Sequence, residues 1–386
     1  MSCADSKTPG NGTSGYWPAV AGKPVPYPPE KPISSNNPVA AQESAGISVV
    51  ICCYNSASRL PETLKHLARQ VVPDLIPWEV IVVNNASTDD TARMAQRLWD
   101  GFGNPAPFCV VEEVMSGLCH ARERGIASAQ HGVLVFLDDD NWLAEDYLRI
   151  AHQVMSEHER IGVLGGKIAA AFEIDPPGWF PQLQSCYAVG AQGRSTGDIT
   201  DYKRHLAGAG MVLRKAAYSD LKARKFKFLL SGRTGKQTTS GEDVELCLAL
   251  VLLGYRIWYD ERLRLDHFIP RQRLTRDYAL RLAHGNRVAG PVLACYESAL
   301  NGSGASALRL YLRTLKAHSE WVLKSAVKLL LGRDTFTVFQ LKLMEWWYSL
   351  LSLPELRRVF RLYHPRVIRL KQSGAVRCSN PAPVVS

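Results

Sequence analysis

Residues Val133–Asp140 have the sequence VLVFLDDD, which is the clearest indication of the fold. Five consecutive apolar residues rich in β-branched and aromatic side chains are typical of a strand that is buried on both faces of a parallel sheet. The run ends abruptly in three aspartates, at the point where such a strand leaves the core. The sequence therefore predicts a buried strand with an acidic cluster at its carboxyl end.

Similar apolar runs precede this strand at Ile47–Cys53 (ISVVICC), Glu79–Val83 and Phe108–Glu112. Helices are predicted between them at Ser58–Gln70, after Ser87 or Thr88, and at Leu118–Ala129. Four strands that alternate with helices predict an α/β fold with a doubly wound, parallel sheet and flanking helices. Because ligands of such sheets bind beyond the carboxyl ends of the strands, we expect Asn55, Asn84 and the aspartates to face a ligand.

The second half of the chain is less regular. Strands are predicted at Gly162–Ala169 and Tyr255–Tyr259, a helix at Glu242–Leu253, and helices from Thr275 to about Lys371. The segment Gly208–Arg214 (GAGMVLR) precedes a predicted flexible loop at Ser231–Ser240. Between them, Phe172–Leu206 is rich in Pro, Gly and Trp, which indicates a loop region that shapes a substrate site.

The aspartate cluster is the strongest chemical signal. Adjacent carboxylates repel one another, and a divalent cation between them removes much of that repulsion. Hard oxygen ligands select Mg²⁺ or Mn²⁺, which keep water and phosphate oxygens in their remaining positions. Asp138 and Asp140 would point to the same side of an extended segment, so they are the predicted metal ligands. The alternative is an acidic loop that caps a helix near Ala144, although a cap needs only one carboxylate.

A second acidic motif, Ser240-Gly241-Glu242-Asp243, begins a predicted helix. The helix dipole alone favours acidic residues there, so the motif by itself fits a structural role equally well. Beside a metal–diphosphate site, however, a carboxylate could take a proton from an incoming hydroxyl. We predict Asp243 as this general base, with Glu242 as the second choice.

Residues 267–273 (HFIPRQR) place a histidine and two arginines after the last predicted strand. Imidazole can ligate the metal ions in question, and guanidinium groups match phosphate oxygens. A lone histidine is more often a core residue, and arginines are often surface residues. His267 is therefore a candidate metal ligand, and Arg273 a candidate diphosphate ligand.

The composition is that of an ordinary globular protein, with 386 residues, 46% of them hydrophobic and 21% charged. The nine cysteines form no C-x-x-C pair, which indicates reduced thiols rather than a disulfide framework or a zinc site. Residues 1–46 contain eight prolines and no apolar run. We expect a disordered leader without a secretory signal, and hence a cytoplasmic protein.

The net charge of +10 lies in the last part of the chain. Residues 306–386 contain 14 Lys/Arg and four Asp/Glu, which leaves 32 of each sign in the remainder. A nucleic-acid enzyme would place positive charge around its cleft, so no nucleic-acid partner is expected. Residues 301–386 also contain the apolar helical runs Trp321–Leu331 and Phe336–Leu353. We expect a basic, aromatic helical extension that either lies on an anionic membrane at its cytoplasmic face or packs on the protein.

Seven segments in this order resemble family 2 glycosyltransferases of the GT-A fold: ISVVICCYN, EVIVVNNASTDDT, GLCHARERGIASA, VLVFLDDDNWLAEDYL, GAGMVLRK, SGEDVELCLAL and HFIPRQRLT. The similarity covers about Ile47 to Ala289. It implies a catalytic domain at residues 47–300 with a Rossmann-like sheet, and an inverting transfer from a nucleotide-activated sugar with the help of Mn²⁺ or Mg²⁺. A UDP-sugar is the expected donor.

By motif, the resemblance places Tyr54 and Asn55 beside the nucleotide. Asn84 lies where the family usually has an aspartate that contacts the base or ribose, so the base preference stays open. Arg122 and Gly125 match the family segment ARNxG near the nucleotide.

Asp138 and Asp140 match the DxD motif of the family, with Asp140 as the better metal ligand. Asp139 lies between them and counts among the residues expected to bind the donor. Asp243 matches the general base of the ED motif. His267 and Arg273 match positions near the diphosphate.

The leading hypothesis is a glycosyltransferase that extends a glycan or a lipid-linked saccharide. A nucleotidyl or sugar-phosphate transferase on the same type of sheet is the first alternative. It would need a Gly-rich phosphate loop after the first strand, which CCYNSAS does not provide. A catalytically inactive sugar-binding or scaffold protein is the second alternative, against which the retained aspartates argue.

Overall fold

The structure is a computed structural model that describes residues 44–230, 232, 240–302 and 306–379. Residues 1–43 of the predicted leader, and most of the segment 231–240, lie outside the described residues. Ser44–Gly46 belong to the first strand and not to the leader, because Ser44 pairs with His131 on the neighbouring strand.

Within the described residues, nine strands form one sheet. They are β1 (Ser44–Cys53), β2 (Trp78–Asn85), β3 (Phe108–Glu113), β4 (His131–Asp138), β5 (Asn141–Leu143), β6 (Ile161–Phe172), β7 (Gly197–Asp198), β8 (Val212–Arg214) and β9 (Arg256–Ile269). Their order is β3-β2-β1-β4-β8-β6-β9-β5, with β7 paired to β9. The first four strands are mutually parallel, as the alternation of strands and helices predicted.

The other half of the sheet is mixed. The short strand β8 lies antiparallel between β4 and β6, while β6 and β9 pair in parallel over most of their length. Strand β9 has 14 residues and continues well past the predicted end at Tyr259. It continues because Leu263 and Leu265 alternate with charged residues and stay buried, which is the pattern of a half-buried strand.

Eleven α-helices lie in the described part of the chain. They are α1 (Leu60–Ala68), α2 (Thr91–Gly101), α3 (Leu118–Ser128), α4 (Tyr147–Glu157), α5 (Phe180–Leu183), α6 (Lys215–Ala223), α7 (Glu242–Leu252), α8 (Arg276–Leu300), α9 (Ala307–Leu330), α10 (Phe336–Leu351) and α11 (Leu353–Ser379). Short 3₁₀ helices occur at Gln184–Tyr187 and Arg271–Arg273.

Both faces of the sheet are buried, which explains the unbroken apolar runs. In β1, Val49 and Ile51 belong to the apolar core on one face, and Val50 belongs to the core on the other face. Neighbouring residues of a strand point to opposite faces, so each strand of a covered sheet needs apolar residues at every position. The carboxyl ends of β1 and β4 thereby come together at one edge.

The C-terminal extension is helical, as predicted, and part of it belongs to the core on one face of the sheet. Phe360 and Leu370 of α11 are buried in one apolar cluster with Leu248 of α7 and Tyr296 of α8. Helices α9 and α10 pack on each other as a hairpin, and one side of α10 also packs on α8. None of the helices in the described ranges combines the length and the apolar composition required to cross a membrane.

Candidate functional site

A cavity of about 680 Å³ opens at the carboxyl ends of β1 and β4. Such a volume lies in the usual range for ligand pockets. The predicted site residues that line it are Tyr54, Arg122, Asp138, Asp139, Asp140, Glu242, Asp243, His267 and Arg273. The structure therefore brings residues from five separate segments of the chain to one place.

The three aspartates point in different directions because the chain turns at residues 139 and 140, between β4 and β5. The alternation expected for an extended segment does not apply within a turn. Asp139 is buried and forms an ion pair with Arg59, whose Nη2 lies 2.6 Å from Oδ2 of Asp139. Its carboxylate also accepts a hydrogen bond from Ser56. Asp139 is thus held by the loop and helix that follow β1.

Asp140 is also buried and faces two basic side chains. Its Oδ2 accepts a hydrogen bond from Nη1 of Arg273 at 2.8 Å, and its Oδ1 lies 3.6 Å from Nε2 of His267. Burial alone would raise the pKa of Asp140, but His267 and then Arg273 hold it well below the usual aspartate range. Asp140 is therefore ionised at any physiological pH.

His267 is oriented for metal binding by its second nitrogen. Nδ1 of His267 lies 2.9 Å from the carbonyl oxygen of Tyr187, which can only accept, so Nδ1 carries the proton. In the neutral imidazole the lone pair is then on Nε2, which faces the Asp140 carboxylate; in the imidazolium, the form that lowers the pKa of Asp140, Nε2 carries a proton. Two facing donor atoms of this kind suit a divalent cation, and metal-binding histidines commonly have their other nitrogen fixed in this way.

Asp138 does not join this pair. Among the described residues, no group of three or more His, Cys, Asp or Glu side chains is positioned to hold a metal ion. The structure brings Asp140 and His267 together, and the metal role of Asp138, Asp140 and His267 stays a prediction. Two protein ligands still fit Mg²⁺ or Mn²⁺, because these ions are commonly bound by one or two carboxylates together with substrate phosphates and water.

Arg122 connects the aspartate turn with the second acidic motif. Its guanidinium is largely buried, stacks 5.6 Å from the centre of the Phe136 ring and lies 3.5 Å from Oε1 of Glu242. Burial works against its charge, but Glu242 and then Asp138 raise the pKa of Arg122. Arg122 therefore links the end of β4 with the start of α7.

Asp243 is held by backbone donors at the start of α7. The N–H of Gly208 donates to Oδ2 at 2.8 Å, and the N–H of Val244 donates to Oδ1 at 2.8 Å. A side chain at position 208 would displace the Arg122 guanidinium, because its Cβ would lie 2.6 Å from Nη2 of Arg122. The glycine allows the backbone to approach both Asp243 and Arg122, so it fixes the relative positions of these two side chains.

Three predicted nucleotide-binding residues lie outside the lining of this cavity. Oδ1 of Asn55 accepts a hydrogen bond from the N–H of Thr88, 2.8 Å away. The amide nitrogen of Asn84 donates to both carboxylate oxygens of Glu112. Gly125 lies in the middle of α3, where a Cβ would come within 2.2 Å of the Val50 side chain. Its position is explained by the packing of α3 on the sheet.

Several lining residues were not singled out from the sequence. Arg59 has no motif signal, and its contact with Asp139 spans 80 positions. Lys203 and His205 line the cavity close to Asp243, and burial lowers their pKa values to about 8 and about 4. Both lie in the stretch 172–206, which was expected to shape the site as a whole. Only their clustering before Gly208 could have drawn attention to them.

The fold and the site together define an α/β protein with a Rossmann-like sheet and a carboxylate-lined ligand cavity at its carboxyl edge. Residues 48–221 match the family described as glycosyl transferase family 2. This match confirms the family that the sequence motifs indicated, and it includes the aspartate turn and Arg122.

The chain is similar to several curated glycosyltransferases. It is 23% identical over 244 residues to the poly-beta-1,6-N-acetyl-D-glucosamine synthase of Staphylococcus epidermidis, which covers 62% of this chain and 55% of that protein. It is 32% identical over 94 residues to glycosyltransferase AglE of Haloferax volcanii, which covers 24% of this chain and 30% of that protein. The chain thus spans about half or less of the length of these relatives.

Among solved structures, S. aureus TarS 1-349 in complex with UDP-GlcNAc is similar, with 18% identity and a TM-score of 0.47. The match covers 86% of this chain and 88% of that chain.

Proposed function

We propose that this chain transfers a sugar from a nucleotide diphosphate donor to a hydroxyl of a glycan or a lipid-linked saccharide. The expected donor is a UDP-sugar. One observation carries the proposal. One cavity contains two atoms of a kind that bind metal ions, Oδ1 of Asp140 and Nε2 of His267, which face each other. The same cavity contains the Asp243 carboxylate, which is oriented by hydrogen bonds from backbone N–H groups. Asp140 and His267 could bind a metal ion that carries the donor diphosphate, and Asp243 could take the proton of an acceptor hydroxyl.

The donor end of the cavity is basic as well as acidic. Asp140 and His267 would hold a divalent cation, which when bound neutralises charge on the departing diphosphate. Arg273 lies beside them, and its guanidinium can bind diphosphate oxygens that come within reach. These side chains would bind the leaving diphosphate and favour its departure, because they stabilise the negative charge that develops on it as the glycosidic bond breaks.

At the acceptor end, Asp243 would take the proton of the attacking hydroxyl. Its carboxylate is oriented by the N–H groups of Gly208 and Val244, so one face of it stays fixed while the acceptor approaches. Attack opposite the leaving diphosphate is a single displacement and inverts the anomeric carbon. No carboxylate nucleophile is needed, in contrast to a retaining glycosidase.

The family match supports the glycosyl transfer, and the names of the relatives support a saccharide acceptor, since one of them is a synthase of an N-acetylglucosamine polymer. The thiols of Cys52, Cys53, Cys109, Cys119, Cys247 and Cys295 are free, which supports the proposal of a cytoplasmic location.

The test is a thermal-shift and turnover comparison with UDP and a panel of UDP-sugars, with Mn²⁺ or with EDTA. We expect UDP to raise the melting temperature with Mn²⁺ and to lose most of this effect with EDTA. Asp140→Asn should lose the metal-dependent shift, whereas Asp243→Asn should keep it and lose transfer by at least about 10²-fold. Asp74→Asn, at an exposed acid outside the cavity, is the control and should leave both unchanged.

If EDTA leaves the UDP shift intact, the proposed metal site is wrong. If Asp243→Asn transfers sugar at a normal rate, another group is the base.

A further inference from the structure

Helix α10 carries an apolar stripe that is exposed and does not pack on the described core of the protein. Phe336, Leu343, Trp347 and Leu351 are each 40–62% exposed. Their spacings of seven, four and four residues place them on one side of the helix. On the opposite side, Val338 and other residues are buried against the apolar cluster that includes α8. The stripe therefore faces away from the core.

Helix α9 carries a second exposed stripe beside the first. Leu312, Leu323, Val327 and Leu330 are 50–88% exposed and fall within one third of the helix circumference. The two helices run antiparallel, since Tyr311 bonds the carbonyl of Leu350 near one end of the hairpin and Ser325 bonds Asp334 near the other. We call the two stripes together the hairpin face, formed by Leu312, Leu323, Val327, Leu330, Phe336, Leu343, Trp347 and Leu351.

The surroundings of the hairpin face are basic. Exposed positive side chains on α9 and the following turn are Arg309, Arg313, Lys316, Lys324, Lys328 and Arg333. Within 307–351, all of which the structure describes, the acidic residues are Glu320, Asp334 and Glu345. The side chains of Asp334 and Glu345 are buried, so Glu320 is the only exposed acid of this hairpin.

We propose that the hairpin face docks on an anionic lipid surface, with α9 and α10 lying in the plane of the membrane. An apolar stripe flanked by basic residues is the pattern of helices that bind at the membrane interface. Phe336 and Trp347 would enter the headgroup region, and the lysines would meet anionic headgroups. The inference is independent of the proposed glycosyl transfer.

A second copy of this chain fits the same surface poorly. Two hairpin faces brought together would place two sets of basic side chains side by side with a single exposed acid on each hairpin to compensate. A different protein could bind here only with an apolar surface that is bordered by acidic residues. An anionic membrane offers an apolar interior and negatively charged headgroups over its whole surface. Charge thus favours the lipid surface.

The test is co-sedimentation of the full chain with vesicles of phosphatidylcholine alone and with 30% phosphatidylglycerol. We expect binding to the anionic vesicles only, weakened by salt. Each basic residue near the surface is worth roughly fivefold in partitioning, so Lys324→Gln/Lys328→Gln should weaken binding about 25-fold. The matched control Lys167→Gln/Lys227→Gln removes two exposed lysines elsewhere and should change binding little.

Trp347→Gln tests the apolar part and should weaken binding at least about tenfold. Leu75→Gln, at an apolar residue that is 94% exposed outside the hairpin, is its control. Equal binding of the hairpin variants and their controls, or no binding to anionic vesicles, would overturn the proposal. So would a concentration-dependent dimer in solution that Trp347→Gln abolishes, because the hairpin face would then bind a second copy. Circular dichroism verifies that each variant is folded.

Discussion

Replacing Gly125 by alanine distinguishes a packing role from a nucleotide-binding role. Gly125 lies within α3, and a Cβ there would be 2.2 Å from Cγ1 of Val50 and 3.3 Å from its Cβ and Cγ2. Nonbonded carbons prefer about 3.5–4.0 Å, and a rotation of the valine cannot move all three atoms away. Helix α3 would therefore have to move off the sheet.

The size of the effect follows from two opposing contributions. Overpacking a core contact costs about 1–3 kcal/mol, whereas alanine stabilises a helix interior over glycine by about 1 kcal/mol. We expect Gly125→Ala to lower the free energy of unfolding by about 1–2 kcal/mol, measured by urea denaturation. Gly101→Ala, at a helical glycine with open space around it, should be neutral or stabilising.

A double-mutant cycle links the effect to one contact. Val50→Ala alone should cost about 1–3 kcal/mol, because Val50 is fully buried. In the double variant the new methyl group occupies the space that Val50 vacates, so the combined loss should be smaller than the sum by about 1–3 kcal/mol. If Gly125→Ala unfolds like the wild type but binds UDP more weakly, the packing explanation is refuted and the glycine is needed by the nucleotide.

Three further predictions concern Glu245, Asp139 and Gly208. Burial raises the pKa of Glu245 from 4.5 to about 7, so the folded state binds this proton more tightly than the unfolded state. The free energy of unfolding should therefore fall by about 3 kcal/mol between pH 4.5 and 8 as Glu245 loses its proton. Glu245→Gln should remove this share of the fall, measured by urea denaturation, and leave the share of Glu345, whose pKa burial raises to about 8. An unchanged pH profile would count against the prediction. Asp139→Asn should lower the free energy of unfolding by about 2–3 kcal/mol, because it leaves the Arg59 charge without its partner. The affinity for UDP, measured by calorimetry, should stay near normal. A loss of UDP affinity without a loss of stability would instead show that Asp139 contacts the donor. Gly208→Ala should lower the transfer rate at least about tenfold, because its Cβ displaces Arg122, and an unaltered rate would show that this guanidinium is not needed in place.

Most of the first half of the fold could be predicted from the sequence because its signals are local. A run such as Ile47–Cys53 is apolar at every position except Ser48, a pattern typical of a strand covered on both faces. The same holds for the helices that separate the strands, and for the helical nature of the C-terminal extension. Strand β9 was underestimated, since its alternation of Arg262, Leu263, Arg264 and Leu265 is a weaker signal than a continuous apolar run.

The family, the parallel half of the sheet and the carboxylates at its edge could all be inferred from the amino-acid sequence. The partner of each carboxylate could not. Asp139 and Asp140 are adjacent in the chain but face Arg59 and Arg273, which lie 80 and 133 positions away. These ion pairs form only in the folded protein, because a turn after β4 points the two side chains in different directions and distant segments supply their partners.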